Sequence, residues 1–235
     1  MGSASPLPNQ ESRQAPIPLV FSWSAGKDSA FGLGTVLADD RYLVVGLLTT
    51  LTEGYERVTM SGVRERLLDR QAEELSLPLT KVWIPPRCPN HLYEARMAAA
   101  LVPWEAAGVR HLAFADLFLE DVRSYRERWL SQLGWTGVFP LFGRATGPLA
   151  EEMLSWGLRA TLVCVDPKAL PPDFAGREFD HRLLADLPWT ADPCGERGEF
   201  HTFARSAPIF HRPIACRRGE VVEREGFVYC DLETA

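Results

Sequence analysis

The chain has 235 residues, is 46% hydrophobic and carries a net charge of −6 from 25 basic and 31 acidic side chains. That length and apolar content suit one large α/β domain or a main domain with a smaller appendage, and they exclude global disorder. The acidic balance argues against general nucleic-acid binding, and no apolar run reaches the ~20 residues of a membrane span.

Residues 1–16, MGSASPLPNQESRQAP, are polar and Pro-rich, lack the apolar stretch of a secretory signal, and are expected to form a flexible tail. Alternating strand-like and helix-like segments follow. Pro18 to Trp23 reads as a strand and Asp28 to Ala38 as its helix. Tyr42 to Thr49 is an almost continuous apolar run, as in a strand buried on both faces of a parallel sheet. Ser61 to Leu75 places Val63, Leu67, Leu68, Ala72 and Leu75 at helical spacing and stops before Pro78. Leu79 to Ile84 is a third strand, Asn90 to Ala107 a helix that Pro103 should kink or close, and Val109 to Ala115 a fourth strand ending at Asp116. Repeated β-α units of this kind predict a doubly wound parallel sheet, with ligands outside the C-terminal ends of its strands.

Beyond a boundary near residue 135 the pattern is less regular. Helices are expected at Leu119 to Gln132 and Gly147 to Trp156, and a buried strand at Ala160 to Val165. Strand-like pieces follow at Ile209-Phe210, Ile214 to Cys216 and Val221 to Tyr229. The expected organisation is a tail over 1–16, a nucleotide-binding α/β domain over 17–134 and a smaller C-terminal α+β region over 135–235. Trp129, Trp135, Trp156 and Trp189 are expected to fill the core or a domain interface. The five cysteines are scattered without a CxxC pair, which speaks against a zinc ribbon or a redox pair and suits free thiols in a cytoplasmic protein.

Chemistry concentrates in two places. The first is Ser24-Ala25-Gly26-Lys27-Asp28-Ser29, a turn between the first strand and its helix. Backbone N–H groups and the positive end of the helix dipole make such a turn an anion site, small residues admit a phosphate closely, and Lys27 adds charge. The spacing S-x-G-K-D-S is not that of a Walker A loop. It resembles the PP-loop, SGGxDS, of the ATP pyrophosphatases, which split ATP between its α and β phosphates. Ala25 stands where the second Gly is usual and fits there with a negative φ. The second place is Asp192 to Phe203, DPCGERGEFHTF, where three carboxylates, a thiol, an imidazole and a hydroxyl crowd a Gly-rich loop opening into a strand. Such a cluster could hold Mg²⁺, position an ammonium-like group or supply a general base; a plain Gly/Pro/Asp turn is the alternative. Cys194 is read as a structural loop thiol rather than a nucleophile, and Arg123 and Arg126 as a solvated helix face or as phosphate contacts.

Together the two segments resemble the diphthine–ammonia ligase family of ATP-binding PP-loop proteins, an adenine nucleotide alpha hydrolase-like fold. Further matching stretches are Met60 with Leu67 and Gln71-Ala72-Glu73, Ala115-Asp116 with Asp121 to Arg126, and Phe139-Pro140-Leu141-Phe142 with Arg144. The resemblance covers most of residues 17–205, and D-P-C-G-E-x-G-E-F-H-T looks like a bacterial branch in which His201 replaces a Glu. Ser61 stands where a His often follows the Met. The resemblance implies an amide ligase: a substrate carboxylate is adenylated by ATP with loss of pyrophosphate, and ammonia displaces AMP. It implies ATP contacts at Ser24, Ala25, Gly26, Lys27, Asp28, Ser29, Asp116 and Arg144, with Mg²⁺ carried on ATP near Asp28. Lys27, Asp28, Glu196, Glu199, His201 and Thr202 are the implied catalytic set. ATP, ammonia and a carboxylate-bearing acceptor, diphthine-like or a cobalamin precursor, are the implied partners; a homodimer is allowed for, and neither membrane nor nucleic acid is expected. A tRNA-modifying sulfurtransferase and a non-catalytic ATP/AMP-binding module are the competing readings.

Overall fold

The structure is a computed structural model that describes residues 15–235, so the tail expected over 1–16 lies, up to residue 14, outside the described residues. The fold is mixed α/β, with a mostly parallel sheet followed by a separate antiparallel one. The first sheet is built from β1 (Ile17–Ser22), β2 (Tyr42–Thr52), β4 (Leu79–Ile84), β5 (His111–Ala113) and β6 (Thr136–Val138), all parallel. β1 lies between β2 and β5, with β4 outside β2 and β6 outside β5. A two-residue strand, β3 (Arg57–Val58), adds antiparallel to the end of β2. Helices α1 (Lys27–Leu37), α2 (Glu65–Leu75), α3 (Asn90–Ala106) and α4 (Glu120–Gln132) connect these strands. The chain first builds outward from β1 to β2 and β4, then crosses back by α3 to β5 on the other flank. Beside that reversal a crevice lies beyond the carboxyl ends of β1, β2 and β4.

β1 shows why the sheet is covered on both faces. Leu19 and Phe21 enter one core with Leu33, Leu67 and Phe203, while Val20 enters a second with Met97, Leu101, Phe114 and Trp129. The second sheet, in the order β8 (Phe200–Ser206), β7 (Arg159–Val165), β10 (Phe227–Thr234) and β9 (Cys216–Arg224), shares the first of these cores. Helix α5 (Thr146–Ser155) precedes β7, and the short α6 (His181–Asp186) follows it.

Several sequence expectations need correction. Val221 to Tyr229 is not one strand: Glu225 and Gly226, with φ of 51° and 83°, turn the chain between β9 and β10. Ile209-Phe210 is a turn against Trp23, whose ring meets Phe210 edge-on at 6.3 Å. α2 begins at Glu65, because residues 57–64 fold back on themselves through Val58 N–H to Val63 O, 2.8 Å. As expected of Pro103, α3 closes just after it, at Ala106. Trp129 and Trp135 are buried and Trp156 packs edge-on against Phe31, but Trp189 is 95% exposed and fills no core.

One ion cluster joins the two sheets beside the crevice. Asp231 on β10 accepts from Arg57 Nη1 at 2.8 Å and from Arg64 Nε at 3.1 Å. Burial favours its acid form, yet Arg64 and Arg57 outweigh burial and hold the carboxyl at about 2, below the usual 3.8. A depressed carboxyl stabilises the fold above its unfolded-state value and loses that contribution as pH falls through the folded-state value. The melting temperatures of wild type and Asp231→Asn should therefore differ most above pH 4 and converge as pH falls towards 2.

Candidate active site

The phosphate-type turn is held by groups from four segments. β1 delivers Trp23, whose N–H donates to Leu48 O at 2.8 Å and whose carbonyl accepts from Thr49 Oγ1 at 2.7 Å. Ser29 Oγ donates to Gly26 O at 3.0 Å and lies 2.9 Å from Ser24 Oγ, so the two hydroxyls close the turn on itself. Ala25 departs from expectation: its φ is +66°, the left-handed region that glycine adopts freely and that costs alanine ~1 kcal/mol. Its surroundings impose that conformation. Ala25 O accepts from Ala204 N at 2.9 Å and from Gln71 Nε2 at 3.1 Å.

Helix α1 starts at Lys27, and its N-cap is Gly26, which has no side chain to cap it. A cap comes instead from β8, where Thr202 Oγ1 accepts from Lys27 N–H at 3.0 Å. A Cβ at Gly26 would stand 3.2 Å from Thr202 O, so a side chain there would push the strand and the turn apart by a few tenths of an ångström. The positive end of α1 thus opens on the crevice with no carboxylate cap from the turn.

The Asp192–Thr202 segment is organised from within. Asp192 Oδ1 accepts from the N–H groups of Cys194 (2.9 Å) and Glu196 (3.3 Å), while Oδ2 accepts from Thr146 Oγ1 at 2.6 Å. Glu199 is buried and turned towards its own loop, taking Asp192 N–H at 2.8 Å and Arg197 N–H at 3.0 Å. Replacing Glu199 with Gln sets an amide NH₂ against one of those N–H donors. The expected loss is about 2 kcal/mol, read from urea unfolding. Cys194 is buried, its Sγ points to Thr146 O at 3.4 Å, and burial pushes the thiol up to about 12. It is a packing thiol.

Turn and segment meet at a cleft of about 880 Å³ beyond the ends of β1, β2 and β4. Ser24, Gly26, Lys27 and Asp28 line it from one side, and Glu196, His201 and Thr202 from the other. Lys27 is 1% exposed; its Nζ donates to both Asp28 carboxylate oxygens (2.9 and 2.8 Å) and to Cys194 O, between the rings of Phe179 and Phe200. Burial opposes its charge, but the neighbouring Asp28 carboxylate prevails and holds Lys27 above its ordinary value. Glu196 Oε1 accepts from Leu117 N–H at 2.8 Å. Burial first, then the Asp28 and Asp116 charges, push its carboxyl up to about 7 against that hydrogen bond. His201 is pushed down to about 4 by burial and by the Lys27 charge, and its Nε2 is sequestered from solvent with no hydrogen-bond partner among the described residues.

The other candidates stand outside the lining. Ala25 and Ser29 back the turn, and Glu199 backs the loop. Asp116 sits behind Arg126, their ion pair measuring 2.7 Å, and it is Arg126 that borders the cleft. Arg144 pairs with Glu152 and lies over Phe31, away from the cleft. Arg123 also turns away, to Glu127 and the Phe142 ring. Sequence reasoning missed Gln71 as the hub beneath the turn, the Leu117 amide that fixes Glu196, and Thr59, which lines the cleft beside Met60 and Ser61. For Gln71 the signal was present: it falls on the apolar face that Leu67, Leu68, Ala72 and Leu75 define.

Among the described residues, no group of three or more His, Cys, Asp and Glu side chains is arranged to hold a metal. The donors fit Mg²⁺ arriving with a phosphate: Asp28 is a partly exposed carboxylate at the turn, and Mg²⁺ bound with phosphates needs only one or two carboxylates.

Known proteins place this geometry. Residues 146–235 match the family described as diphthamide synthase C-terminal domain. Over 222 residues the chain is 23% identical to diphthine–ammonia ligase of Bos taurus, spanning 85% of this chain and 82% of that one. The Homo sapiens diphthine–ammonia ligase is 24% identical over the same shares. The family match thus takes in the Asp192–Thr202 segment, and across most of its length the chain is similar to diphthine–ammonia ligases.

Proposed function

We propose that this chain is an ATP-dependent amide ligase that adenylates a substrate carboxylate, releases pyrophosphate and transfers ammonia to the acyl group. One observation carries the reading. The start of α1 and the Cys194–Thr202 segment form a single wall, joined by Lys27 N–H to Thr202 and by Lys27 Nζ to Cys194 O. A nucleotide bound at the turn therefore lies against the residues that meet its co-substrate.

In this reading Ser24, Gly26 and Asp28 meet the β and γ phosphates, with the Ser24 hydroxyl and backbone N–H groups of the turn as donors, while Ala25 and Ser29 hold the turn from behind. Mg²⁺ near Asp28 supplies charge neutralisation to the phosphates when bound. Lys27 acts from below, as a buried charge that holds turn and loop in register and favours the developing charge on pyrophosphate. Arg126, backed by Asp116, is placed to meet phosphate oxygens at the cleft wall, and Arg144 supports the fold behind it. Residues 17–134 supply the nucleotide half and 135–235 the acceptor half. The acceptor is a diphthine-type carboxylate or another carboxylate such as a cobalamin precursor, because adenylation does not depend on what lies beyond the carboxyl. The buried, neutral Cys194 gives a sulfurtransferase no thiolate to use.

The test is product analysis with ATP, ammonium and a panel of carboxylates that includes diphthine-bearing elongation factor 2 and cobalamin precursors. AMP and pyrophosphate formation that requires both ammonium and a carboxylate is the expected result. ADP and phosphate, or release that depends on tRNA, would overturn it.

A further inference from the structure

We infer that Glu196 and His201 form the ammonia site of this cleft, Glu196 taking a proton from the incoming ammonium ion and His201 Nε2 holding the neutral ammonia that results. The inference rests on the ligase reading and adds to it the step by which nitrogen becomes a nucleophile.

The two side chains come from one braced segment and line the same cleft. Glu196 is fixed at both ends: its backbone N–H reaches Asp192 Oδ1 at 3.3 Å, and Oε1 takes Leu117 N–H at 2.8 Å. Gly195 and Gly198, with φ of 69° and 90°, give the loop the turns that bring the carboxylate out of its own backbone network. Among the described residues Oε2 carries no hydrogen bond, so it is available to a donor in the cleft. Asp28 and Asp116 act on Glu196, which draws a cation towards it and favours retention of a proton, in keeping with a carboxyl that titrates at about 7.

His201 is the complementary half. A buried ring nitrogen without a partner costs free energy unless a ligand satisfies it. Burial, and after it the Lys27 charge, keep the imidazole from becoming a cation, so in the tautomer protonated at Nδ1 its Nε2 can accept an N–H from ammonia without capturing its proton. The same charge repels ammonium, so only the neutral amine is favoured there.

The step balances. Ammonium gives one proton to the Glu196 carboxylate and becomes ammonia. Its lone pair forms the C–N bond at the acyl-adenylate carbonyl, and the C–O bond to phosphate breaks with its electrons on AMP. The second proton leaves with the AMP phosphate.

The test compares ammonium with hydroxylamine, which is unprotonated at neutral pH and needs no base to become a nucleophile. Diphthine-bearing elongation factor 2, or whichever carboxylate of the panel gives AMP, serves as acceptor. For Glu196→Gln, which keeps an oxygen for Leu117 N–H, the ratio of ammonium- to hydroxylamine-dependent turnover should fall ~100-fold or more. Glu196→Asp, which keeps a carboxylate, should recover part of that ratio. His201→Phe should raise the ammonium KM about 10-fold while kcat changes less, the effect of one lost hydrogen bond. Equal losses with both nucleophiles in Glu196→Gln and Glu196→Asp, or an unchanged ammonium KM in His201→Phe, would overturn the inference and leave the ligase reading standing. No AMP from the wild type with either nucleophile would remove both.

Discussion

Exchanging Gln71 for Glu should destabilise the protein by about 3–5 kcal/mol and lower its melting temperature by on the order of 10 °C. The side chain is fully buried and has a partner at every turn: Oε1 accepts from Trp23 Nε1 at 2.9 Å, and Nε2 donates to Ala25 O at 3.1 Å and Ala204 O at 2.7 Å. Glu keeps the shape and the Trp23 bond but sets an oxygen against two carbonyl oxygens. A buried carboxyl in that setting is pushed up, so its folded-state value lies above its unfolded-state value. The variant is then least impaired while the group is protonated in both states and loses further stability as pH rises through the folded-state value. Urea unfolding at pH 5 and pH 8 should show the larger deficit at pH 8. A deficit under 1 kcal/mol at both would mean that the turn does not depend on Gln71. The effect should extend to nucleotide binding, because the strained Ala25 conformation is held by one of the bonds that Glu removes.

The reason Gln71 was legible only as part of a matching triplet says where sequence reading ends. Elements whose burial is set by local pattern were readable: the apolar runs of β1 and β2, and the 67–68–72–75 stripe of α2, fall where the spacing puts them. The phosphate turn was readable because the physics of a strand-to-helix anion site restricts its residues. What depends on distant partners was not. Glu196 and Glu199 are three apart in one loop and chemically alike, yet one faces the cleft and the other its own backbone amides, which only the folded loop decides. Ala25 is driven to positive φ by Ala204 and Gln71, which lie far along the chain. Val221 to Tyr229 has strand-forming residues on both sides of a turn that Glu225-Gly226 makes, and Trp189 shows that an apolar residue type does not by itself dictate burial.

Lys27→Met separates the buried charge from the buried volume. Met fills most of the space between the Phe179 and Phe200 rings but leaves the Asp28 carboxylate and the Cys194 carbonyl without their donor. Removing one member of a fully buried ion pair costs about 3–5 kcal/mol; because Asp28 is partly exposed and water compensates some of its charge, the loss here should be about 2–3 kcal/mol. A second change, Asp28→Asn, removes that charge, so the double variant should recover a large part of the loss and the two effects should be far from additive. Additive losses in guanidinium unfolding would mean that the pair does not act as a unit. The cleft should change as well. Lys27 lowers both neighbouring groups, so in Lys27→Met the Glu196 carboxyl moves further above about 7 and the His201 imidazole rises from about 4 towards its ordinary range. An NMR titration of His201 follows the second shift directly. An imidazole that still titrates near 4 would locate the cause in burial alone, whereas a rise would show that the buried Lys27 ammonium adds to burial in setting the protonation of His201.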